Sequence, residues 1–231
     1  MTVAESPTFH SGSLVVTASF TEPAFELAHA GPMLQRHIFQ ALRDHEIDMP
    51  GFQETAMPSG PGNWNLAVSF LGFRASFKLH VANFQVTFVN KEILRDGALI
   101  KRVLHAIEHA ILQVVPAAGL AQRELVQQVH CTLSNRGIQD RIPSYAGILP
   151  EELGDPVGQG VALYLESPLM SAPAGVVLDR SALLDEGLYV QLRCQFDADA
   201  FDLATTCDNF QTYLRRMDHA FHLHGTLGGA A

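Results

Sequence analysis

The stretch WNLAVSFLGFRASFKLHVANFQVTF, residues 64–88, decides the fold. Apolar residues recur at every second position in three successive runs. These are Trp64, Leu66, Val68 and Phe70, then Phe73, Ala75, Phe77, Leu79 and Val81, then Phe84, Val86 and Phe88. A period of two turns one face of each run toward a core and the other toward water, which is the signature of a half-buried strand. The breaks between runs, near Gly72 and at Ala82-Asn83, are short. Parallel neighbours need a crossover of about a dozen residues or more, so these three strands form an antiparallel meander.

Upstream, LVVTASF (14–20) alternates in the same way, with Leu14, Val16, Ala18 and Phe20 on one face. A helix follows, opened by Gly31-Pro32, where proline suits the first turn. Its stripe is Leu34, Ile38, Ala41 and Leu42, with Arg36, Gln40 and Asp44 opposite. The segment GFQETAMPSGPGN (51–63) is expected to be a loop from its Pro and Gly content. Downstream of the meander, a helix from about Asp96 to Val115 stops before Pro116.

The second half opens with a strand at LVQQVHCTLS (125–134), burying Leu125, Val129, Cys131 and Leu133. The connection 135–160 is long for a structureless loop, and a short helix near Pro150–Leu153 or a site-shaping role is expected within it. Strands resume at VALYLES (161–167), GVVLDRS (175–181) and GLYVQLRCQF (187–196). A last helix spans about 200–222, and GTLGGAA is expected to fray. The fold class that follows is α+β, with an antiparallel sheet or sheets of about eight strands covered by three main helices. The order repeats in outline, dividing the chain into modules 1–120 and 121–231. One continuous sheet and two separate sheets both fit this order.

With 47% hydrophobic and 17% charged residues among 231, the chain has the balance of a globular protein. Its net charge is −9, and its 15 Lys and Arg are dispersed, the densest pairs being Lys101-Arg102 and Arg215-Arg216. Phosphate-binding surfaces concentrate such residues, so neither nucleic acid nor an anionic membrane is an expected partner. There is no apolar run approaching the ~18 residues of a membrane span. The N-terminal residues MTVAESPTFHSGS do not read as a secretory signal, so the cytoplasm is the expected location. Cys131, Cys194 and Cys207 read as buried thiols acting as small hydrophobes. A Cys131–Cys194 disulfide requires adjacent strands.

The sharpest motif is His105-Ala-Ile-Glu108-His109. Two histidines at i and i+4 on a helix can share one Zn²⁺, and the glutamate between them can act as base on its bound water. This H-x-x-E-H spacing resembles the inverted-zincin, pitrilysin-like metalloproteases over this short stretch. The resemblance implies a zinc-dependent hydrolase with His105 and His109 as ligands, Glu108 as base and the downstream Glu186 as third ligand. The helical pattern points elsewhere. Leu99, Ile100, Val103, Leu104, Ile107, Ala110, Ile111 and Val114 make one apolar face, which sets His105 and His109 toward solvent beside Lys101, Arg102 and Gln113.

A second cluster, His219, His222 and His224, ends the last helix, where protonated imidazoles favour the carbonyl end. There is no phosphate loop, nucleophile elbow, C-x-x-C or dinucleotide-binding glycine motif. Trp64 has core parity. Tyr164, Tyr189, Gln191 and Arg193 could line a ligand cavity if inward, but their parity is outward. The preferred reading is a non-catalytic protein that binds another protein or a second copy of itself, most simply as a homodimer, or holds a small apolar ligand. No cofactor is expected on that reading. Zinc hydrolysis is the alternative.

Overall fold

A computed structural model of the chain describes residues 7–49, the backbone of 53–57, and residues 64–116, 118–132, 160–166, 170–185, 187–197, 202–220 and 227. In chain order the elements are β1 (Thr8–Phe20), α1 (Glu26–His29), α2 (Gly31–Asp44), β2 (Gln53–Met57), β3 (Asn65–Phe70), β4 (Ala75–His80), β5 (Asn83–Val89), α3 (Lys91–Arg95) and α4 (Gly97–Val114). The second half contributes β6 (Leu120–Thr132), β7 (Val161–Leu165), β8 (Ala174–Arg180), β9 (Gly187–Asp197) and α5 (Leu203–Ala220).

The strands make one continuous antiparallel sheet in the order β2-β3-β4-β5-β1-β6-β9-β8-β7. The α+β class, the antiparallel sheet and the three main helices are as expected from the alternating runs. Three differences stand out. Residues 53–57 add a ninth strand, paired with β3 from Gln53 opposite Ser69 to Met57 opposite Asn65, where the sequence suggests only loop. Phe73 belongs to the β3–β4 turn rather than to β4, and is 58% exposed. Of the stretch 225–231, expected to fray, only Leu227 is among the described residues, and it is packed: it is buried, its carbonyl accepts from Gln127 Nε2 at 2.6 Å and its N–H donates to Asp218 Oδ1 at 2.9 Å.

The register explains the core. Leu14, Val16 and Ala18 of β1 share a face with Leu125, Val129 and Cys131 of β6 and with Val190, Leu192, Cys194 and Phe196 of β9, all buried. Against that face lie α2, α4 and α5, with α4 packed between the other two. Two short caps position α4: Asn90 accepts from Glu92 N–H at α3, and Asp96 accepts from Leu99 N–H at the start of α4. Gly12 sits where β1 passes closest to β6. A Cβ there would lie 2.6 Å from the Gln128 carbonyl oxygen, so only glycine lets the strands meet.

The two innermost strands are β1 and β6, antiparallel from Thr8 opposite Thr132 to Phe20 opposite Leu120. Outward from β1 run β5, β4 and β3, and outward from β6 run β9, β8 and β7. Cys131 lies opposite Leu188, and Cys194 opposite Leu125, so the strands are adjacent but the two thiols are far apart in register. Cys131, Cys194 and Cys207 are buried, with no disulfide between them.

Candidate functional site

Helix α4 parts the H-x-x-E-H residues between two environments. Its buried set, Ile100, Val103, Leu104, Ala106, Ile107, Ala110 and Ile111, matches the apolar face read from the sequence. His105 and His109 are exposed, their rings stacked with centroids 6.4 Å apart, and His109 Nε2 lies 3.4 Å from Gln113 Nε2. His45, at the end of α2, meets His105 edge-on at 5.4 Å. Glu108 leaves the helix on another side and is half-buried. Glu186 lies outside the described residues. Among the described residues, no group of three or more His, Cys, Asp or Glu is arranged to hold a metal ion.

What Glu108 reaches is Arg123. The sequence reading starts the strand at Leu125, but β6 begins at Leu120, because β1 and β9 flank it on both sides. Continuing the alternation of Leu125 and Val129 backward brings Arg123 onto the core face, opposite Ala18 on one side and Phe196 on the other. Its residue exposure is 5%. Arg123 Nη2 lies 3.6 Å from Glu108 Oε1, and Glu108 Oε2 accepts a long hydrogen bond of 3.4 Å from the Leu203 N–H at the start of α5. One carboxylate therefore ties α4 to the sheet and to α5.

The pair is poorly compensated. Burial raises the Glu108 carboxyl above its ordinary pKa, against the opposing pull of the Arg123 charge and of the Leu203 N–H. Burial likewise lowers the Arg123 guanidinium, with Glu108 and Asp202 pulling the other way. Two of its nitrogens, Nε and Nη1, are buried without a hydrogen-bond partner among the described residues. A buried donor left unsatisfied costs about 1–3 kcal/mol, more when charged. Beside the pair opens a cleft of about 210 Å³ lined by Phe20, Phe84, Ile111, Leu112, Leu120 and Arg123. Thr21, at its rim, donates to the Gly119 carbonyl at 3.2 Å.

The other face of the sheet is polar. Tyr164, Tyr189, Gln191 and Arg193 all project there, as their parity predicts. Tyr189 donates to Gln191 Oε1 at 2.6 Å, Gln128 donates to the same oxygen at 3.1 Å, and Arg193 pairs with Glu124. His130 Nδ1 and Ser181 Oγ are 2.9 Å apart, but Ser181 is buried, so its hydroxyl is a structural partner rather than an accessible nucleophile. His219 is exposed on α5, while His222 and His224 lie outside the described residues. Burial pushes the Cys194 and Cys207 thiols up to about 12, which leaves them unreactive.

Sequence reasoning picks out Glu108 and misses Arg123. The available signal is parity: a charged residue two positions before a buried leucine on a strand flanked on both sides. No helix among the described residues is long and apolar enough to cross a membrane. No protein-family model matches the chain, and no curated protein matches its sequence. Among solved structures, S. pombe Pct1 RNA triphosphatase in complex with the Spt5 CTD aligns with 94% of this chain and 84% of its own at 10% identity. The TM-score is 0.12, far too low to indicate a shared fold.

Proposed function

We propose that the protein is a non-catalytic, cytoplasmic interaction protein that pairs with a second copy of itself through the outer edge of β7. The observation carrying this reading is the character of that edge. Strand β7 ends the sheet and pairs only with β8 among the described strands. Edge strands of soluble proteins are usually blunted by charge, proline or a bulge, because their unpaired N–H and C=O groups invite another chain. The sequence of β7, VALYL, holds no charged residue, no proline and no glycine. The opposite edge, β2, carries Glu54.

Val161, Leu163 and Leu165 are half-buried and pack against the core, while Ala162 and Tyr164 face outward, Tyr164 at 78% exposure. Antiparallel pairing of β7 with its own copy about a twofold axis is self-complementary, and twofold dimers are the commonest closed assemblies. Such pairing joins the two half-buried apolar rows into one and satisfies the edge backbone groups.

Light scattering coupled to size exclusion tests this. The expected mass is roughly twice the 25.2 kDa chain, with a shift toward monomer only at low concentration. Placing lysine at Ala162 and Tyr164 puts two like charges on the edge and is expected to yield monomer with the fold intact. A monomeric mass for the unaltered protein across about a hundredfold range of concentration would overturn the reading.

A further inference from the structure

We propose that the cleft beside Glu108 and Arg123 binds a small monocarboxylate, its apolar body between α4 and the ends of β1 and β6 and its carboxylate on Arg123. Three observations converge on this site. The walls are apolar, from Phe20, Phe84, Ile111, Leu112 and Leu120. Its lining includes Arg123, whose side chain is only 6% exposed. That guanidinium meets a single carboxylate through one nitrogen at 3.6 Å, and its Nε and Nη1 lack acceptors among the described residues.

A guanidinium is a planar fork with five N–H donors and no means of losing its charge at neutral pH. Each edge of the Arg123 fork keeps at least one N–H without an acceptor, and a carboxylate offers two oxygens at the matching spacing. Apolar walls with one or two fixed polar groups are the usual build of a small-molecule site. The cleft's 210 Å³ suits a short aliphatic or single-ring acid. The neighbouring carboxylates of Glu108 and Asp202 favour a monoanion over a phosphate, which carries more charge. Nε and Nη1 belong to different edges of the fork and are closed to bulk water, so a single ligand carboxylate reaches one of them, beside Nη2, as the wall of the cleft over Arg123 gives way.

The probes are hexanoate and benzoate, compared with hexanol, benzyl alcohol and inorganic phosphate, using titration calorimetry and thermal unfolding of the full chain. Both acids are expected to bind saturably, tighter than the matching alcohols by on the order of tenfold, with phosphate weaker than either. Glu108→Gln removes the competing anion and is expected to tighten hexanoate several-fold. Arg123→Met alone strands Glu108, so the fold-preserving test is Arg123→Met combined with Glu108→Gln. In that variant acid and alcohol are expected to bind alike. Equal affinity for acid and alcohol in the unaltered protein, no saturable binding of either acid, or a preference for acid that survives the double variant would overturn the assignment.

Discussion

Glu108 and Arg123 each sit in the core only because the other is there. With side-chain exposures of 16% and 6%, both charges are largely withdrawn from bulk water. Removing one partner of a buried pair costs about 3–5 kcal/mol, whereas replacing both by apolar residues of similar volume is often neutral or stabilising. Glu108→Ala is therefore expected to destabilise the protein by about 3 kcal/mol. Glu108→Leu combined with Arg123→Met is expected to fall within about 1 kcal/mol of the parent or exceed it. Urea unfolding midpoints measure both, and a double variant as unstable as the single one would show that the pair is a net source of stability. The sequence makes Glu108 conspicuous because it sits between two histidines at metal-ligand spacing, yet its carboxylate oxygens reach Arg123 and the Leu203 N–H. Arg123 is inconspicuous because QRE reads as a polar connection, and only the flanking strands draw it into the sheet.

At the level of elements, period-two and period-3.6 patterning locates every described strand but β2, and the three main helices but not the short α1 and α3, because burial against one continuous core imposes those periods directly. It failed where burial is not the organising force. QETAM in β2 shows no strong alternation and lies between Pro50-Gly51 and Pro58, yet it forms a strand because β3 offers it an open edge. The β3–β4 turn is the second such place. Leu71, Gly72 and Phe73 all have left-handed backbone, with φ of 53°, 63° and 65°. The turn is closed by Arg74, whose N–H and side-chain Nε–H both donate to the Leu71 carbonyl. Residues other than glycine in that region are strained by about 1–2 kcal/mol, so alternation through Phe73 looked like strand while the backbone was already turning. Phe73 is largely exposed and contributes little burial to set against that strain. Phe73→Gly is accordingly expected to stabilise the fold by roughly 0.5–1 kcal/mol, the strain relieved less the greater freedom of glycine in the unfolded chain. Chemical denaturation reads the difference, and a loss of stability would show that the ring packs usefully in the turn.

For the whole molecule, the open question in the sequence is whether two similar halves fold as two bodies or one, since parity specifies which face of a strand is buried but not which strand lies beside it. The pairing of β1 with β6 along almost their full lengths joins the halves by backbone hydrogen bonds at the centre of the sheet. The helices repeat the connection, with α4 of the first half packed on α5 of the second and Lys101 paired with Asp208 at 2.9 Å. Glu108 reaches Arg123 across the same seam, and the buried apolar residues of both halves form one cluster. Separating the halves exposes two long strand edges and the inner faces of α4 and α5, at a cost of about 25 cal/mol for each Å² of apolar surface uncovered. Neither half then retains its own stability, and the chain is expected to unfold in a single cooperative transition. Scanning calorimetry at two protein concentrations is the measurement, because pairing at β7 would raise the midpoint with concentration without splitting the peak. Two resolved endotherms, with one half still protected from hydrogen exchange between them, would mean that the β1–β6 seam is weaker than the cores on either side and that the modules 1–120 and 121–231 fold separately.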